Sequence, residues 1–403
     1  MTKRFRRLVL VFASIWGFTI LSGQAADTVR PEMGKPLQAA QELIKQQKYK
    51  EALVRIGETD AIPNKTTYEV SVTERMRGIA ALGAGQIDAA AKSFDELLAA
   101  SPSPGPEQLK WIQAVAEGYY RAKDYSKAIA WGQRYQKSGG TEDTVGVLVL
   151  QSYYLNGDYA SAGHEAQMQL AADEKAGRIP TEAQLQLLGS CYLKQNDNAG
   201  YASVLEKLVA HYPKKEYWAD LLAHIQRKPG FSDRLSLDVY RLMLVTDNLS
   251  SASDYMEMAQ LALQAGYPVE AQKVLARGYA NKMLGVGQDA ERHKRLNDLA
   301  DKQAKEDRKT LIDTNGTRTG DALVNNGYDL VINGQAEEGL ALMQQGISKD
   351  GLKHPDEARL HLGEAYLLAG KPNEAARQFK SVQGADGTQD LAELWAIQSK
   401  ASS

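Results

Sequence analysis

Small and apolar residues recur along this chain in one spaced pattern. Near the C-terminus the pattern runs from Gly363 through Tyr366 and Gly370 to Ala375 and Phe379. Its positions are three or four residues apart within each half, which predicts one helix, a tight turn at Gly370 and a second helix. The small residue early in the second helix marks each copy: Ala52, Ala90, Ala128, Ala162, Tyr201 as a degenerate match, Ala271, Gly339 and Ala375.

The distance between copies is close to constant. Most neighbouring markers are 34 to 39 residues apart, and two gaps of 70 and 68 residues each leave room for one degraded copy. A period near 34 residues in an all-helical pattern indicates an α-solenoid, in which repeats stack and each contacts only its neighbours. Solenoids of this kind are built for binding rather than for chemistry.

The repeats resemble the tetratricopeptide repeat (TPR) over roughly residues 36–385. Glycine or alanine lies where two helices must approach closely, tyrosine fills the space between them, and glycine occupies turns that need a positive φ angle. The resemblance implies an all-α fold, a right-handed α-solenoid of about 8–10 helix-turn-helix repeats. The turn glycines are Gly85, Gly157, Gly266, Gly334 and Gly370, and the close-approach glycines are Gly78, Gly189, Gly327 and Gly363.

The repeats and their departures divide the chain into five segments. Residues 1–25 are predicted to be a signal peptide, 26–213 the N-terminal repeats, and 321–403 the C-terminal repeats with a capping helix. Between them, residues 214–288 hold a degraded repeat without the glycine and alanine signature and one further TPR-like repeat. Residues 289–320 are predicted to be a charged helix and a flexible connection. The first 21 of them include 13 charged residues, and a helix this polar is expected to face solvent.

The N-terminus has the pattern of an export signal. Four basic residues within positions 3–7 precede an uncharged stretch over residues 8–21, and small side chains follow at Gly23 and Ala25. This order predicts a secretory signal that is cleaved after Ala25. A retained membrane anchor is the alternative, but the apolar run is shorter than the roughly 20 residues that a spanning helix needs. Gln24 stands where a lipoprotein signal needs cysteine, so we expect a periplasmic chain without a membrane span after cleavage.

The charge balance of the chain argues against one class of binding partner. The formal net charge is −2, from 48 basic and 50 acidic residues, and removal of the four basic signal residues leaves 44 against 50, or −6. A mildly acidic chain lacks the basic footprint of most nucleic-acid-binding proteins, so no nucleic-acid partner is expected. The single cysteine, Cys191, excludes an internal disulfide, and its place inside a repeat predicts a buried, unreactive side chain.

No motif for catalysis or for a cofactor accompanies the repeats. The six histidines are scattered, and no His-x-x-x-His or cysteine pair offers a metal site. Gly285-Val-Gly287 begins like a dinucleotide-binding fingerprint, but the helical pattern of Ala271–Met283 stands where such a site requires a strand. We therefore predict no cofactor, no metal and no catalytic residue. The competing class is an envelope enzyme such as a glycan hydrolase, which would need two carboxylates facing one cleft.

The resemblance places the binding surface on the first helix of each repeat, which lines the concave groove in the TPR family. The residues at these positions are polar, charged or aromatic, a mixture that suits recognition of a peptide segment. The predicted groove residues are Lys110, Gln113, Glu117, Tyr120, Arg121, Gln151, Tyr154, Gln186, Ser190 and Lys194. Spacings of three or four residues should put those between Lys110 and Arg121 on one side of a helix. The charged helix at residues 289–309 is the alternative binding surface.

We therefore expect a non-catalytic periplasmic scaffold or adaptor that binds an envelope protein or peptide through this groove. The pattern of asparagine and lysine with which some TPR proteins bind a terminal carboxylate is not visible, so a C-terminal tail is not the expected ligand. The segment Tyr212–Ala271 is similar to exported TPR proteins associated with TonB-type energy-transduction systems, which implies a TonB-type complex as the narrower prediction.

Overall fold

The computed structural model describes residues 28–99, 104–310 and 319–401. The signal peptide predicted at residues 1–25 lies outside them, as do residues 311–318 of the predicted connection. Over the described ranges the secondary structure is α-helix with short 3₁₀ turns and no β-strand, so the predicted all-α class is confirmed. No helix in these ranges combines the length and apolarity needed to cross a membrane.

The chain divides into two compact units, residues 1–175 (unit 1) and 176–403 (unit 2). The described helices of unit 1 are α1 Pro31–Lys45, α2 Tyr49–Gly57, α3 Thr67–Gly83, α4 Ile87–Ala99, α5 Pro106–Arg121, α6 Tyr125–Lys137, α7 Asp143–Leu155 and α8 Tyr159–Lys175. Each helix packs against the next, and the odd-numbered helices also pack on one another in the order α1, α3, α5, α7. Unit 1 is therefore a row of helical hairpins whose first helices form one layer.

Unit 2 is also built mainly from helical hairpins. Its described helices are α9 Glu182–Gln195, α10 Asn198–His211, α11 Lys215–Gln226, α12 Ser236–Val245, α13 Ala252–Gln264, α14 Pro268–Ala280, α15 Ala290–Thr310, α16 Gly320–Ile332, α17 Ala336–Ile347, α18 Pro355–Leu368, α19 Pro372–Phe379 and α20 Thr388–Ala401. From α9 to α15 each helix packs against the next, and α16 packs against α14. The hairpins α16–α17 and α18–α19 follow, and α20 lies against both α18 and α19.

The small residues that marked the repeats lie at helix contacts. Six alanines at these positions are fully buried: Ala52, Ala90, Ala128, Ala162, Ala271 and Ala375. At Gly78 an added Cβ atom would lie 2.5 Å from the Phe94 ring, so the helix contact requires glycine there. The five predicted turn glycines all have positive φ angles, between 72° and 90°. In the α5–α6 turn, Lys123 adopts this conformation with φ 63°, which explains why the glycine pattern fails in that repeat.

Helices α16 and α17 pack backbone against backbone. Gly327 on α16 faces Gly339 on α17, and Gly320 faces Gly346 one step along the pair. A Cβ atom at Gly327 would lie 2.6 Å from the carbonyl oxygen of Gly339. The contact is therefore possible only because these positions carry no side chain.

Unit 2 departs from the expectation that each repeat contacts only its neighbours. Helix α20 packs against α10 and α12 as well as against α18 and α19. Lys228 Nζ lies 2.6 Å from Asp390, which is 162 residues later in the chain, and Arg234 lies 2.7 Å from Asp386. The backbone N–H of Ser232 also donates to the carbonyl of Asp386. Earlier helices of the same unit therefore cover part of α20.

The charged segment forms helix α15, and it is not detached from the repeats. Ala300 and Ala304 are fully buried, and the helix packs against α13 and α14. Most of its charged side chains are exposed, as the narrow apolar stripe predicts.

The lone cysteine lies on α9 and behaves as a small apolar residue. Cys191 is fully buried, and burial raises the pKa of its thiol to about 11. The thiol therefore stays protonated at neutral pH, which confirms the expectation of a buried side chain.

Candidate protein-binding surface

Helix α5 carries five of the predicted groove residues. Trp111 and Ile112 belong to its buried face, which packs on the neighbouring helices. On another side, Gln113 Nε2 donates to Glu117 Oε1 at 3.1 Å, and Arg121 Nη1 lies 3.8 Å from Glu117 Oε2. These contacts place three predicted residues side by side along the helix, as their spacing requires. The complete set on α5 is Lys110, Gln113, Glu117, Tyr120 and Arg121.

Helix α7 lies beside α5 and continues this surface. The Tyr120 hydroxyl donates to Gln151 Oε1 at 2.8 Å, so predicted residues from two neighbouring repeats are in contact. Each repeat adds an edge-on tyrosine pair, with ring centres 5.9 Å apart for Tyr120 and Tyr125 and 5.2 Å apart for Tyr154 and Tyr159. We use the name α5–α7 face for the surface formed by the predicted residues of these two helices and the exposed side chains beside them. The predicted residues are Lys110, Gln113, Glu117, Tyr120, Arg121, Gln151 and Tyr154.

Two exposed apolar side chains on α7 were not predicted. Val147 is 38% exposed and Leu155 is 50% exposed. Because they lie four residues before and after Gln151, all three share one side of the helix. The sequence contains a signal for them, since α7 is apolar at more positions than a single buried stripe can use. The α5–α7 face therefore combines apolar, aromatic and polar groups.

The charged side chains of the α5–α7 face are exposed enough to exchange one ion-pair partner for another. Arg121 is 66% exposed and Glu117 is 37% exposed, and such a surface pair contributes little to stability. Arg121 can therefore exchange Glu117 for an acidic group on a ligand. Burial, followed by the effect of Tyr125, raises the pKa of Tyr120, so its hydroxyl remains a hydrogen-bond donor at neutral pH.

The remaining predicted residues lie in unit 2 on α9. They are Gln186, Ser190 and Lys194. Gln186 Nε2 donates to the Tyr217 hydroxyl of α11, and this hydroxyl donates to Glu182. The Gln186 amide is thus engaged by the next repeat of its own unit. The structure brings seven predicted residues together in unit 1 and places three on α9.

The first helices at the end of unit 2 are covered instead of open. All seven residues from Leu360 to Tyr366 on α18 are buried, and so are all six from Gly327 to Ile332 on α16. A run of this length covers every side of a helix, because one turn takes only 3.6 residues. Over these two runs, α16 and α18 have no open side.

A buried polar network covers part of α18, and the repeat pattern did not predict it. Arg241 on α12 donates two hydrogen bonds of 2.8 Å to the Glu270 carboxylate of α14. Its Nη1 donates to Asp238 Oδ1 at 2.8 Å and lies 3.5 Å from Glu364 Oε2. His361 Nε2 lies 2.8 Å from the same Asp238 oxygen. All five side chains are buried.

Two tyrosines complete the network. The Arg241 guanidinium lies 4.5 Å from the ring centre of Tyr328 and 5.2 Å from that of Tyr267. Such cation–π contacts contribute about 2 kcal/mol when they are desolvated. The Tyr328 hydroxyl donates to Glu364 Oε2 at 2.9 Å, whereas Glu364 Oε1 is buried and has no hydrogen-bond partner among the described residues.

The sequence signal for this network is a pair of polar residues three apart inside an apolar helix. Asp238 and Arg241 interrupt α12 in this way, and His361 and Glu364 interrupt α18. Periodicity could not pair the two helices, because Asp238 and His361 are 123 residues apart.

Three side chains of metal-binding type meet at one edge of this network. One donor atom each from Asp238, Glu357 and His361 lies within 4.8 Å of the others. Arg241 already pairs with Asp238, and Arg234 pairs with Glu357. A divalent cation between them would face two guanidinium groups, so the cluster is better explained as ion pairs than as a metal site.

A cleft of about 730 Å³ lies in unit 2 beside α11 and the start of α13. Its walls carry both signs of charge, including Lys215, Arg227 and Asp254. Asp254 already accepts hydrogen bonds from the backbone N–H groups of Ser250 and Ser251. The cleft adjoins the degraded repeat, and Ala219 and Ala223 of α11 are among its lining residues. Its charges do not point to one class of ligand.

Family models agree with the spacing of the repeats. One model described as tetratricopeptide repeat matches residues 75–143 and 324–390, and a second matches residues 185–215. The matched residues lie in both units, 75–143 in unit 1 and 185–215 and 324–390 in unit 2. The predicted TPR resemblance is thereby confirmed at the level of the repeat. No curated protein matches the chain.

Three solved structures illustrate how distant its structural relatives are. The TPR2AB-domain:pHSP90 complex of yeast Sti1 is 13% identical with a TM-score of 0.32, covering 67% of this chain and 98% of that one. Yeast Tom70 is 11% identical with a TM-score of 0.25, covering 92% and 96%. Naa15/Naa10 bound to HypK-THB is 15% identical with a TM-score of 0.31, covering 87% and 58%.

Proposed function

We propose that this chain is a protein-interaction scaffold whose α5–α7 face binds an extended or helical segment of a partner. The TPR repeats suggest a protein-interaction role. The observation that carries the choice of surface is the hydrogen bond from Tyr120 to Gln151, which joins two repeats into one continuous face. Binding, rather than catalysis, is what this face supplies.

The chemistry of the face defines the partner segment. Val147 and Leu155 provide exposed apolar area, and Tyr154 adds an aromatic ring beside them. Lys110 and Arg121 carry positive charge on the neighbouring helix. We therefore expect a segment with an aliphatic or aromatic side chain opposite α7 and an acidic side chain near Arg121.

In the same proposal the chain acts in the periplasm on an envelope protein. The support is the secretory pattern of residues 1–25, which ends in the small side chains that cleavage requires. A TonB-type complex is the narrower form of the proposal. Its support is the resemblance of Tyr212–Ala271 to exported TPR proteins of that kind.

Peptides selected from a displayed random library against the mature chain would test the surface. The double variant Tyr120→Ala/Arg121→Ala should bind a selected peptide at least tenfold more weakly, since hot-spot truncations commonly remove about 2 kcal/mol or more each. Its helical content and melting temperature should stay close to those of the wild type. Tyr120→Phe controls for the hydrogen bond to Gln151, because it keeps the ring and removes the hydroxyl.

The matched control lies on the alternative surface. Arg292→Ala/Lys294→Ala removes two exposed charges from α15 and should leave peptide affinity unchanged. If this control abolished binding while the α5–α7 variant bound normally, the recognition surface would be α15. Crosslinking in whole cells, followed by identification of the attached proteins, would then separate a TonB-type complex from another envelope assembly.

A further inference from the structure

The buried network of unit 2 connects helices that are far apart in the chain. Asp238 and Arg241 reach it from α12, Glu270 from α14, and His361 and Glu364 from α18. Asp238 and Glu364 are each only 2% exposed. The side chains that join α12 to α18 are therefore held away from water.

The charges of the network balance only when it holds two protons. Arg241 supplies one positive charge, whereas Asp238, Glu270 and Glu364 can supply three negative charges. A proton on His361 and a proton on Glu364 bring the sum to zero, and loss of both leaves a net charge of −2. Because a buried net charge is strongly unfavourable, the packed arrangement requires these protons.

We propose that this network is a pH-sensitive lock, in which protons on His361 and Glu364 hold α18 against α12 and their loss loosens the two helices. The geometry identifies the weak point. Glu270 receives two short hydrogen bonds from Arg241, but Glu364 receives only the Tyr328 hydroxyl and a long contact from Arg241. Within the part of the chain that the structure describes, Glu364 Oε1 has no hydrogen-bond partner.

The charged and hydroxyl groups that face the two protons belong to three other helices, α12, α14 and α16. Asp238 and Arg241 from α12, Glu270 from α14 and Tyr328 from α16 surround His361 and Glu364. At the more exposed edge, Arg234 pairs with Glu357 of α18 and with Asp386 just before α20. The positive charge of Arg234 offsets one of the two carboxylates in this edge group. The group leaves the charge sum of the buried network unchanged.

The pKa shifts agree in direction with the charge count. Burial alone lowers the pKa of His361, but the Asp238 carboxylate outweighs it, and the pKa is raised above its ordinary value of 6.5. Burial raises the pKa of Glu364 from 4.5 to about 7, despite the opposing effect of Arg241. Burial would also raise the pKa of Asp238, but His361 and Arg241 more than offset it and lower that pKa.

These directions fix the sign of the pH effect. The stabilisation from protonated His361 is complete below the pKa of this residue in the unfolded state. It is lost as the pH rises through the raised pKa of the folded state. The loss of stability from ionising Glu364 begins above the pKa of this residue in the unfolded state, and it is complete above about pH 7. The stabilisation from the Asp238 carboxylate is lost only in acid, as the pH falls through its lowered pKa in the folded state. Between pH 6 and pH 8 the lock should therefore weaken.

Hydrogen exchange of the full chain at pH 6 and pH 8, corrected for intrinsic exchange rates, tests the proposal. The opening equilibrium constant of α12 and α18 amides should rise at least tenfold at the higher pH. Amides of α5 in unit 1 serve as the internal reference and should not change. Equal protection of α12 and α18 at both values would overturn the lock.

The variant Glu364→Gln separates a proton-dependent role from a merely structural one. Glutamine is neutral at every pH and can still accept the Tyr328 hydroxyl, so α18 should be more protected than in the wild type at pH 8. A merely structural role for the carboxylate predicts less protection at both pH values, which would contradict the proposal. His293→Gln is the matched control, since His293 is a buried histidine on α15 outside the network, and it should keep the wild-type pH dependence.

Discussion

Replacing Gly327 by alanine would test the contact between α16 and α17. The new Cβ atom would lie 2.6 Å from the carbonyl oxygen of Gly339 and 2.8 Å from the backbone nitrogen of Met343. The first distance is about 0.8 Å short of ordinary van der Waals contact at 3.4 Å. Neither atom can rotate away, because both belong to the backbone of α17, so the helices must separate.

Two opposing effects set the size of the loss. Overpacking typically destabilises by about 1–3 kcal/mol, and alanine in place of glycine favours a helix by about 1 kcal/mol. Because the clash involves backbone on both sides, we expect Gly327→Ala to lose about 2 kcal/mol in the free energy of unfolding of unit 2.

The matched control is Gly34→Ala on α1, where no described atom beyond the adjacent residues and the local helix backbone lies within 4 Å of the added Cβ. This control should gain up to about 1 kcal/mol from helix propensity alone. Hydrogen exchange resolves the two units, and Gly327→Ala should lower the protection of α16–α18 while leaving α5 unchanged. If Gly327→Ala proved as stable as the wild type, the backbone-to-backbone contact described for α16 and α17 would be wrong.

Two further predictions concern packing and export. Ala375→Leu should destabilise unit 2 by roughly 1–3 kcal/mol, because Ala375 is fully buried between helices. Since α20 connects α19 to α10, protection should fall as far as α10 but not at Ala52 in unit 1, and loss at Ala52 would contradict the division into units. N-terminal sequencing of the protein from cells should begin at Ala26 or one residue later, whereas a chain beginning at Met1 in the membrane fraction would defeat the periplasmic proposal.

The hairpins could be predicted because their causes are local. Gly85 and Gly370 indicate turns, because glycine readily adopts the positive φ angle that these turns need. Ala90 and Ala375 indicate close helix contacts, because their side chains are small. Each signal recurs at a near-constant period, so even a degenerate copy is recognised from its neighbours. This is why the helical class and the repeat could be derived without a structure.

The long-range contacts of unit 2 could not be predicted in the same way. The pair of Lys228 and Asp390 and the pair of Asp238 and His361 join residues more than 100 positions apart. A repeat pattern describes neighbours only, so it predicted a chain of independent hairpins where α20 in fact returns to α10. The polar interruptions of α12 and α18 were visible, but nothing local indicated that they meet.

The candidate surface was predictable in part. The TPR pattern located Tyr120 and Gln151 on adjoining helices, and the structure places them in contact. It did not indicate Val147 or Leu155, because apolar residues on a helix are first assigned to the core. In the structure Val145, Val149 and Leu150 occupy the buried side of α7, and Val147 and Leu155 remain exposed.

Site-specific photocrosslinking in cells is the most direct test of the central claim that the α5–α7 face binds a protein. A photoreactive amino acid would replace Gln113 or Leu155 on this face, with Lys92 on α4 and Arg292 on α15 as exposed control positions. The account predicts that Gln113 and Leu155 form adducts with the same partner and that the controls form none. Adducts confined to Arg292 or Lys92, or their absence from both positions on the face, would contradict it.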